Sequence, residues 1–148
     1  MHDLLVRRGY DVFLPLQKVM RQWSDRKKKV EVPLFNSYIF VSVFAHQIQE
    51  VLQVPGVAWN IRHNGKPAVL HPKEYKIINR FLETGLLLEA MPIDLDKGDR
   101  VLVMDGPLKG VEGVVLRHAS GNKFGVILEA LGQTILADLD PILLKKIN

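Results

Sequence analysis

The sequence predicts an α+β protein with two successive parts, a layered α/β domain over residues 1–88 and a small five-stranded β-barrel over residues 97–148. The first part alternates segments of strand composition with amphipathic helical segments, which is typical of a layered domain. The second part has five short apolar segments separated by glycines within about 50 residues, which favours a barrel. Residues 89–96 lack clear periodicity, and we expect them to be a linker.

In the first part, a short helix over residues 1–8 is expected to end at Gly9. The segment 21–29 is polar and basic and indicates a loop or an exposed hairpin. Strands are expected on both sides of it and further along the chain, at 10–16, 30–34 and 37–44, of which the last is the strongest by residue type.

Two more helices are predicted before the linker. Ile48, Val51 and Leu52 share one face of a short helix over 46–53, which Pro55 and Gly56 end. A short strand is expected at 57–61. Pro72 suits the first position of the second helix, and Gly85 follows its end; Ile77, Ile78, Phe81 and Leu82 line one side of it.

The second part contains a strand, a Gly-Pro turn and a second strand opened by glycines, over residues 97–113. Gly106, Gly110 and Gly113 are explained by turns and a bulge that need backbone freedom. The predicted barrel strands are 100–104, 111–117, 124–128, 134–137 and 142–145.

Composition and charge limit the class of protein. Hydrophobic residues make up 47% of the 148, and no apolar run approaches the roughly 20 residues of a membrane-spanning helix. The absence of cysteine excludes disulfides and thiolate metal sites, so a cytoplasmic location is the simplest expectation. Residues 1–90 carry 13 Lys+Arg and 8 Asp+Glu, whereas residues 91–148 carry 7 and 8. The basic first part and near-neutral second part predict two surfaces with different partners.

With both parts in this order, nearly the whole chain resembles the NusG family of transcription elongation factors. In the first part, the resemblance is carried by the segments 12–15, 26–29, 32–41, 54–57 and 67–70, of which 32–41 reads Val-Pro-Leu-Phe-Asn-Ser-Tyr-Ile-Phe-Val. In the second part it is carried by 98–101, 106–108 and 131–134, which resemble the KOW domain, a Src-homology-3-like barrel. The residues of the first part resemble those of specialised paralogues of the RfaH and UpxY type more than those of housekeeping NusG.

The chain departs from the family pattern at several positions. The family's N-terminal domain opens with a strand and most of a helix that precede the first residues here, and an uncovered sheet position favours pairing with a second chain, so a dimer is expected. Asn36 stands where the family often has proline. Leu108 and Leu131 stand where the barrel often has aromatic residues, which keeps apolar side chains but reduces ring area.

The resemblance implies that the first part docks on a pair of helices of the RNA polymerase clamp and suppresses pausing. The matching positions are Leu34, Phe35, Tyr38 and Phe40. Strand alternation places Tyr38 and Phe40 on one face, and aromatic residues favour protein interfaces. From residue type alone, a strand covered on both faces is the favoured interpretation, because aromatic strands mostly lie in cores.

Two further contact sets are predicted. DNA or RNA near the transcription bubble would be bound by a basic set with one aromatic residue, Arg21, Trp23, Arg26, Lys27, Lys28 and Lys29, although a solvated hairpin explains the same residues. The resemblance implies that the barrel contacts a small-subunit ribosomal protein or Rho, and Leu108, Leu131 and Ile135 are the candidates, with barrel core as the competing interpretation.

No enzyme, cofactor or metal site is predicted. The five histidines, at 2, 46, 63, 71 and 118, include no pair at helical metal-binding spacing. Phosphate-loop and nucleophile motifs are missing too. Two other functions stay open. The first is a KOW-containing RNA-binding protein of translation or ribosome assembly, which the barrel's net charge of −1 disfavours, and the second is a scaffold whose first domain only dimerises.

Overall fold

The structure, a computed structural model, describes residues 2–22, 24–36, 38–58, 60–63, 65–93, 98–118 and 121–147. Its helices are α1 (His2–Arg7), α2 (Ile48–Leu52) and α3 (Pro72–Glu83), with 3-10 turns at Ala45–Gln47, Glu129–Leu131 and Pro141–Leu143. The strands of the first part are β1 (Asp11–Phe13), β2 (Leu16–Gln22), β3 (Lys27–Pro33), β4 (Phe40–Ser42), β5 (Arg62–His63) and β6 (Lys66–Pro67). They are followed by β7 (Leu88–Pro92), β8 (Arg100–Val103), β9 (Glu112–His118), β10 (Gly121–Leu128), β11 (Gln133–Ala137) and β12 (Leu144–Lys146).

The first part contains three separate two-stranded antiparallel sheets among its described residues, β1–β4, β2–β3 and β5–β6. The β2–β3 pair is a hairpin with a register that runs from Leu16 opposite Pro33 to Gln22 opposite Lys27. Its distal residues are exposed, so the predicted exposed hairpin is confirmed. The predicted strand over 37–44 is shorter than expected, since only Phe40–Ser42 pairs, and residues 57, 58, 60 and 61 form no strand.

Helix α3 connects the two parts of the molecule. The backbone N–H of His71 donates to the Glu74 carboxylate at 3.2 Å, which closes the first turn, and Gly85 follows the last turn at φ 72°. Ile78 and Phe81 are fully buried on one side of the helix. The predicted helix from Pro72 is therefore confirmed.

A six-stranded antiparallel sheet in the order β12-β8-β9-β10-β11-β7 forms the second part. Five of its strands are those that the sequence predicts, so the predicted barrel is confirmed. Strand β7 is the sixth; it begins at Leu88 and occupies the first half of the expected linker, and Ala90 pairs with Ile135 and Leu88 with Ala137. The sequence signal was weak because β7 has only five residues and ends in proline. Residues 94–97 lie outside the described chain.

One continuous buried cluster runs through both parts. Phe81 of α3 stacks on Phe124 of β10, with ring centroids 6.1 Å apart and planes 16° apart. The cluster includes Leu34 and Phe35 from the first part, and Val103, Leu108, Val111, Phe124, Leu128, Leu131 and Ile135 from the second. The two parts are thus packed as one body. In the described residues, no helix is both long and apolar enough to cross a membrane.

Candidate functional site

Five aromatic rings form a continuous row in the first part, which we call the aromatic seam: Tyr75, Phe13, Phe40, Phe35 and Tyr38. Neighbouring ring centroids in this order are 4.7, 5.8, 6.2 and 6.4 Å apart. The Tyr75–Phe13 and Phe40–Phe35 contacts are edge-on. Aromatic pairs at such distances contribute interaction energy in addition to that from burial of their apolar area. These contacts favour a fixed arrangement of the rings in the seam.

Three elements bring the seam together. Phe13 and Phe40 are directly opposite each other in the β1–β4 register. Tyr75 comes from the first turn of α3. The segment before β4 is held by two backbone hydrogen bonds, from the N–H of Leu34 to the carbonyl of Pro15 at 2.9 Å and from the N–H of Tyr38 to the carbonyl of Phe35 at 3.5 Å.

The predicted docking residues differ in accessibility. Leu34 is 5% exposed and Phe35 is 2% exposed, and both belong to the buried cluster that joins the two parts. Tyr38 and Phe40 are half-buried and pack against that cluster. Tyr75 was not predicted as a site residue, yet it is 45% exposed and lies at the open end of the seam. Its signal in the sequence is weak, since Tyr75 lies three residues from Ile78 on α3 and is typical of the core face of that helix.

The predicted nucleic-acid residues are brought together on the β2–β3 hairpin. Arg21 is directly opposite Lys28, and Lys27 and Lys29 face Gln22 and Met20. These cations are exposed, as is Arg26 in the connecting turn. Trp23, the aromatic member of the predicted set, lies outside the described residues.

The predicted contact residues of the barrel are all buried. Leu108 is 1%, Leu131 is 7% and Ile135 is 0% exposed, and each belongs to the shared cluster. The turn that carries Leu108 is held by the first part, because the Arg80 guanidinium donates to the carbonyl of Pro107 at 3.0 Å and to that of Lys109 at 2.7 Å. A cavity of about 260 Å³ opens beside this turn, lined by Thr84, Leu86, Val103, Asp105, Pro107, Leu108, Asp138, Leu139, Asp140 and Leu143.

Within the described ranges, no group of three or more His, Asp or Glu side chains could hold a metal ion. Among the described residues, the accessible members of the predicted sites fall on two surfaces of different chemistry. One is an aromatic row that reaches the surface, and the other is a cationic hairpin.

Comparison with known proteins identifies the family. The family model described as "Transcription termination factor nusG" matches residues 1–79, more than half of the chain. The chain is 24% identical over 134 residues to the "Transcription termination/antitermination protein NusG" of Streptococcus pyogenes serotype M1, and equally to that of serotype M18 (strain MGAS8232). Each alignment covers 87% of this chain and 73% of the relative. The chain therefore belongs to the NusG family of transcription regulators.

Proposed function

We propose that this protein is a transcription elongation and antitermination regulator, which binds RNA polymerase non-covalently and suppresses pausing or termination. The aromatic seam, in a chain of the NusG family, is the observation that carries the proposal. The assignment to the specialised RfaH and UpxY subtype is a part of the proposal that rests on sequence resemblance alone.

The seam has the physical properties of a protein-docking surface. Its rings are positioned by one another and by the β1–β4 pairing, so little side-chain entropy is lost when a partner covers them. Tyr38 and Phe40 are half-buried, and Tyr75 is exposed. Aromatic residues with this partial exposure are frequent hot spots of protein interfaces. The partner implied by the family is the helix pair of the polymerase clamp.

The burial of Leu34 and Phe35 adds a condition to this docking. Both side chains are covered in the present arrangement, in the same cluster as α3 and the barrel. A partner can touch them only after that cluster has opened. Initial docking would therefore use Tyr38, Phe40 and Tyr75, and contact with Leu34 and Phe35 would require a change in the packing of that cluster.

The cationic hairpin supplies the second contact of the proposed function. Arg21, Lys27, Lys28 and Lys29, together with Arg26 in the turn, would bind phosphates of nucleic acid beside the polymerase. Phosphate attraction does not depend on base sequence, which suits a factor that travels with the enzyme. The barrel would contact the third partner, a small-subunit ribosomal protein or Rho. Since Leu108, Leu131 and Ile135 are buried, that contact would require these side chains to become exposed.

Binding to a reconstituted polymerase elongation complex tests the proposal. We expect the full chain to bind, and Tyr38→Ala to weaken binding by about tenfold or more, as interface hot spots do. Phe44→Ala is the matched control, because Phe44 is a 73% exposed aromatic residue of the same part that does not belong to the seam. No binding by the wild-type chain, together with tight binding of structured RNA, would favour the translation or ribosome-assembly alternative.

A further inference from the structure

The distal half of the β2–β3 hairpin carries positive charge on both of its faces. Alternation along the strands places Arg21 and its cross-strand partner Lys28 on one face. Lys27 and Lys29 lie on the opposite face, across from Gln22 and Met20. All four cations are exposed, and within the described part of the chain no acidic side chain pairs with any of them.

The base of the hairpin has a different character, since one face there is covered. Gln17, Val19, Val30 and Val32 are half-buried and lie on the same face as Arg21 and Lys28. The Gln17 side-chain amide donates to the Leu88 carbonyl at 2.9 Å and accepts from the Leu88 N–H at 3.0 Å. This two-way bond fixes the base against the edge strand β7, so the hairpin tip extends from an anchored base.

A nucleic acid that meets only one face of this hairpin leaves half of its cations unused. A single strand, or one phosphate backbone of a duplex, would contact the cations of only one hairpin face. Two phosphate backbones on opposite sides of a slot would engage both pairs. The major groove of B-form DNA is such a slot, about 12 Å wide and 8.5 Å deep, and it admits a two-stranded β-ribbon.

We propose that the distal half of the β2–β3 hairpin enters the major groove of double-stranded B-form DNA, with each cationic face opposite one phosphate backbone. The inference deepens the proposed function, because it rests on the hairpin being the nucleic-acid contact. The hairpin is long enough: Gln22 lies five positions beyond Gln17, and a strand rises about 3.3 Å per residue, so the tip projects about 17 Å beyond the base. Duplex RNA does not fit, because the major groove of the A form is too narrow.

Fluorescence anisotropy with the full chain tests this inference without polymerase. The probes are a 20-base-pair DNA duplex, an RNA duplex of the same sequence and the single DNA strand. The variants are Arg21→Gln/Lys28→Gln for one face, Lys27→Gln/Lys29→Gln for the other, and Lys73→Gln/Lys76→Gln as a control that removes the same charge from exposed positions of α3. Circular dichroism checks that each variant is folded.

We expect the wild type to prefer DNA duplex to RNA duplex and to single strand. Each of the two double variants of the hairpin should reduce the magnitude of the slope of log affinity against log salt concentration by about 1.8 on duplex DNA. Each lost phosphate contact changes that slope by about 0.9. The control pair should leave that slope nearly unchanged. The groove geometry is overturned if only one face matters or if duplex RNA binds equally well. If neither double variant of the hairpin changes DNA affinity or its salt dependence, the hairpin is not the nucleic-acid contact. Polymerase binding through Tyr38 is measured separately.

Discussion

The barrel and the first part of the molecule differ in how their strands are stabilised. In the second part, six strands form one antiparallel sheet in which each inner strand has a partner on both sides. The described strands of the first part form three isolated pairs instead, and two-stranded sheets are marginally stable on their own. The barrel can supply its own backbone pairing, whereas the first part needs tertiary support.

Contacts with the barrel supply part of that support. Phe81 stacks on Phe124, the Arg80 guanidinium bonds two carbonyls of the 107–109 turn, and Gln17 bonds the backbone of Leu88. Leu34 and Phe35 belong to the same buried cluster as Phe81 and Phe124. The difference between the two regions therefore suggests that stability and access to partners are set at one shared interface.

The largest expected effect comes from Phe81→Ala, which removes the ring that joins the two cores. A fully buried phenylalanine truncated to alanine typically lowers the free energy of unfolding by about 3–5 kcal/mol. All tryptophans and tyrosines precede residue 88, so tryptophan fluorescence reports on the first part, while amide exchange of β9–β11 reports on the barrel. We expect the fluorescence transition to move to lower denaturant while barrel protection persists.

Lys76→Ala, at an exposed position of the same helix, is the control for Phe81→Ala. If the fluorescence and amide-exchange transitions shift together by the same amount, the two regions form one cooperative unit, and the contrast between a self-sufficient barrel and a dependent first part is wrong.

A smaller effect, confined to the barrel, is expected from Gly113→Ala. A methyl group at this position would meet the backbone oxygen of Gly125 at 2.4 Å and the Phe124 ring at 2.6 Å. Because a backbone atom cannot rotate away, β9 and β10 must shift, and overpacking of this kind costs about 1–3 kcal/mol. Thermal unfolding followed by circular dichroism measures the change. The neighbouring exposed substitution Glu112→Ala loses only a surface ion pair with Arg100 and should stay close to wild type; equal losses in the two variants would contradict the packing argument.

The smallest effect is expected from Arg80→Gln, which removes the charged donor to the 107–109 turn without touching either core. If the barrel must move before a partner reaches Leu34 and Phe35, this variant should bind the polymerase elongation complex roughly two- to fivefold more tightly. Both lost hydrogen bonds are solvent-exposed, so together they are worth only about 1 kcal/mol or less. Lys73→Gln on the same helix serves as the control. Weaker binding by Arg80→Gln would show that the packed arrangement is the one that docks.

Local patterns in the sequence were sufficient for much of the fold. The proline and glycine that bracket α3, and the spacing of Ile78 and Phe81, predict a helix whose bounds the structure confirms. The five barrel strands are equally visible, because short apolar segments between glycines have few alternatives. Strand β7 could not be predicted, since its pairing with β11 joins segments about 45 residues apart and its own five residues show no alternation.

The candidate site was less predictable than the fold. Alternation assigns Tyr38 and Phe40 to one face, but it cannot say which face of a strand another layer will cover. Leu34 and Phe35 are buried in a cluster that also contains residues of α3 and the barrel, which are distant in the sequence. Tyr75 joins the seam through a contact with Phe13, 62 positions earlier in the chain. The cationic hairpin was predictable because its charges need no distant partner to be exposed.

The two hydrogen bonds between the Gln17 amide and Leu88 have a mechanical consequence. They join the base of the cationic hairpin to the edge strand β7 of the six-stranded sheet. The hairpin and the barrel should therefore move together. A displacement of the barrel that uncovers Leu34 and Phe35 would also break these two hydrogen bonds. The orientation of Arg21 and Lys28 would change as a result. Binding of the proposed polymerase partner and the orientation of the hairpin tip would then be coupled.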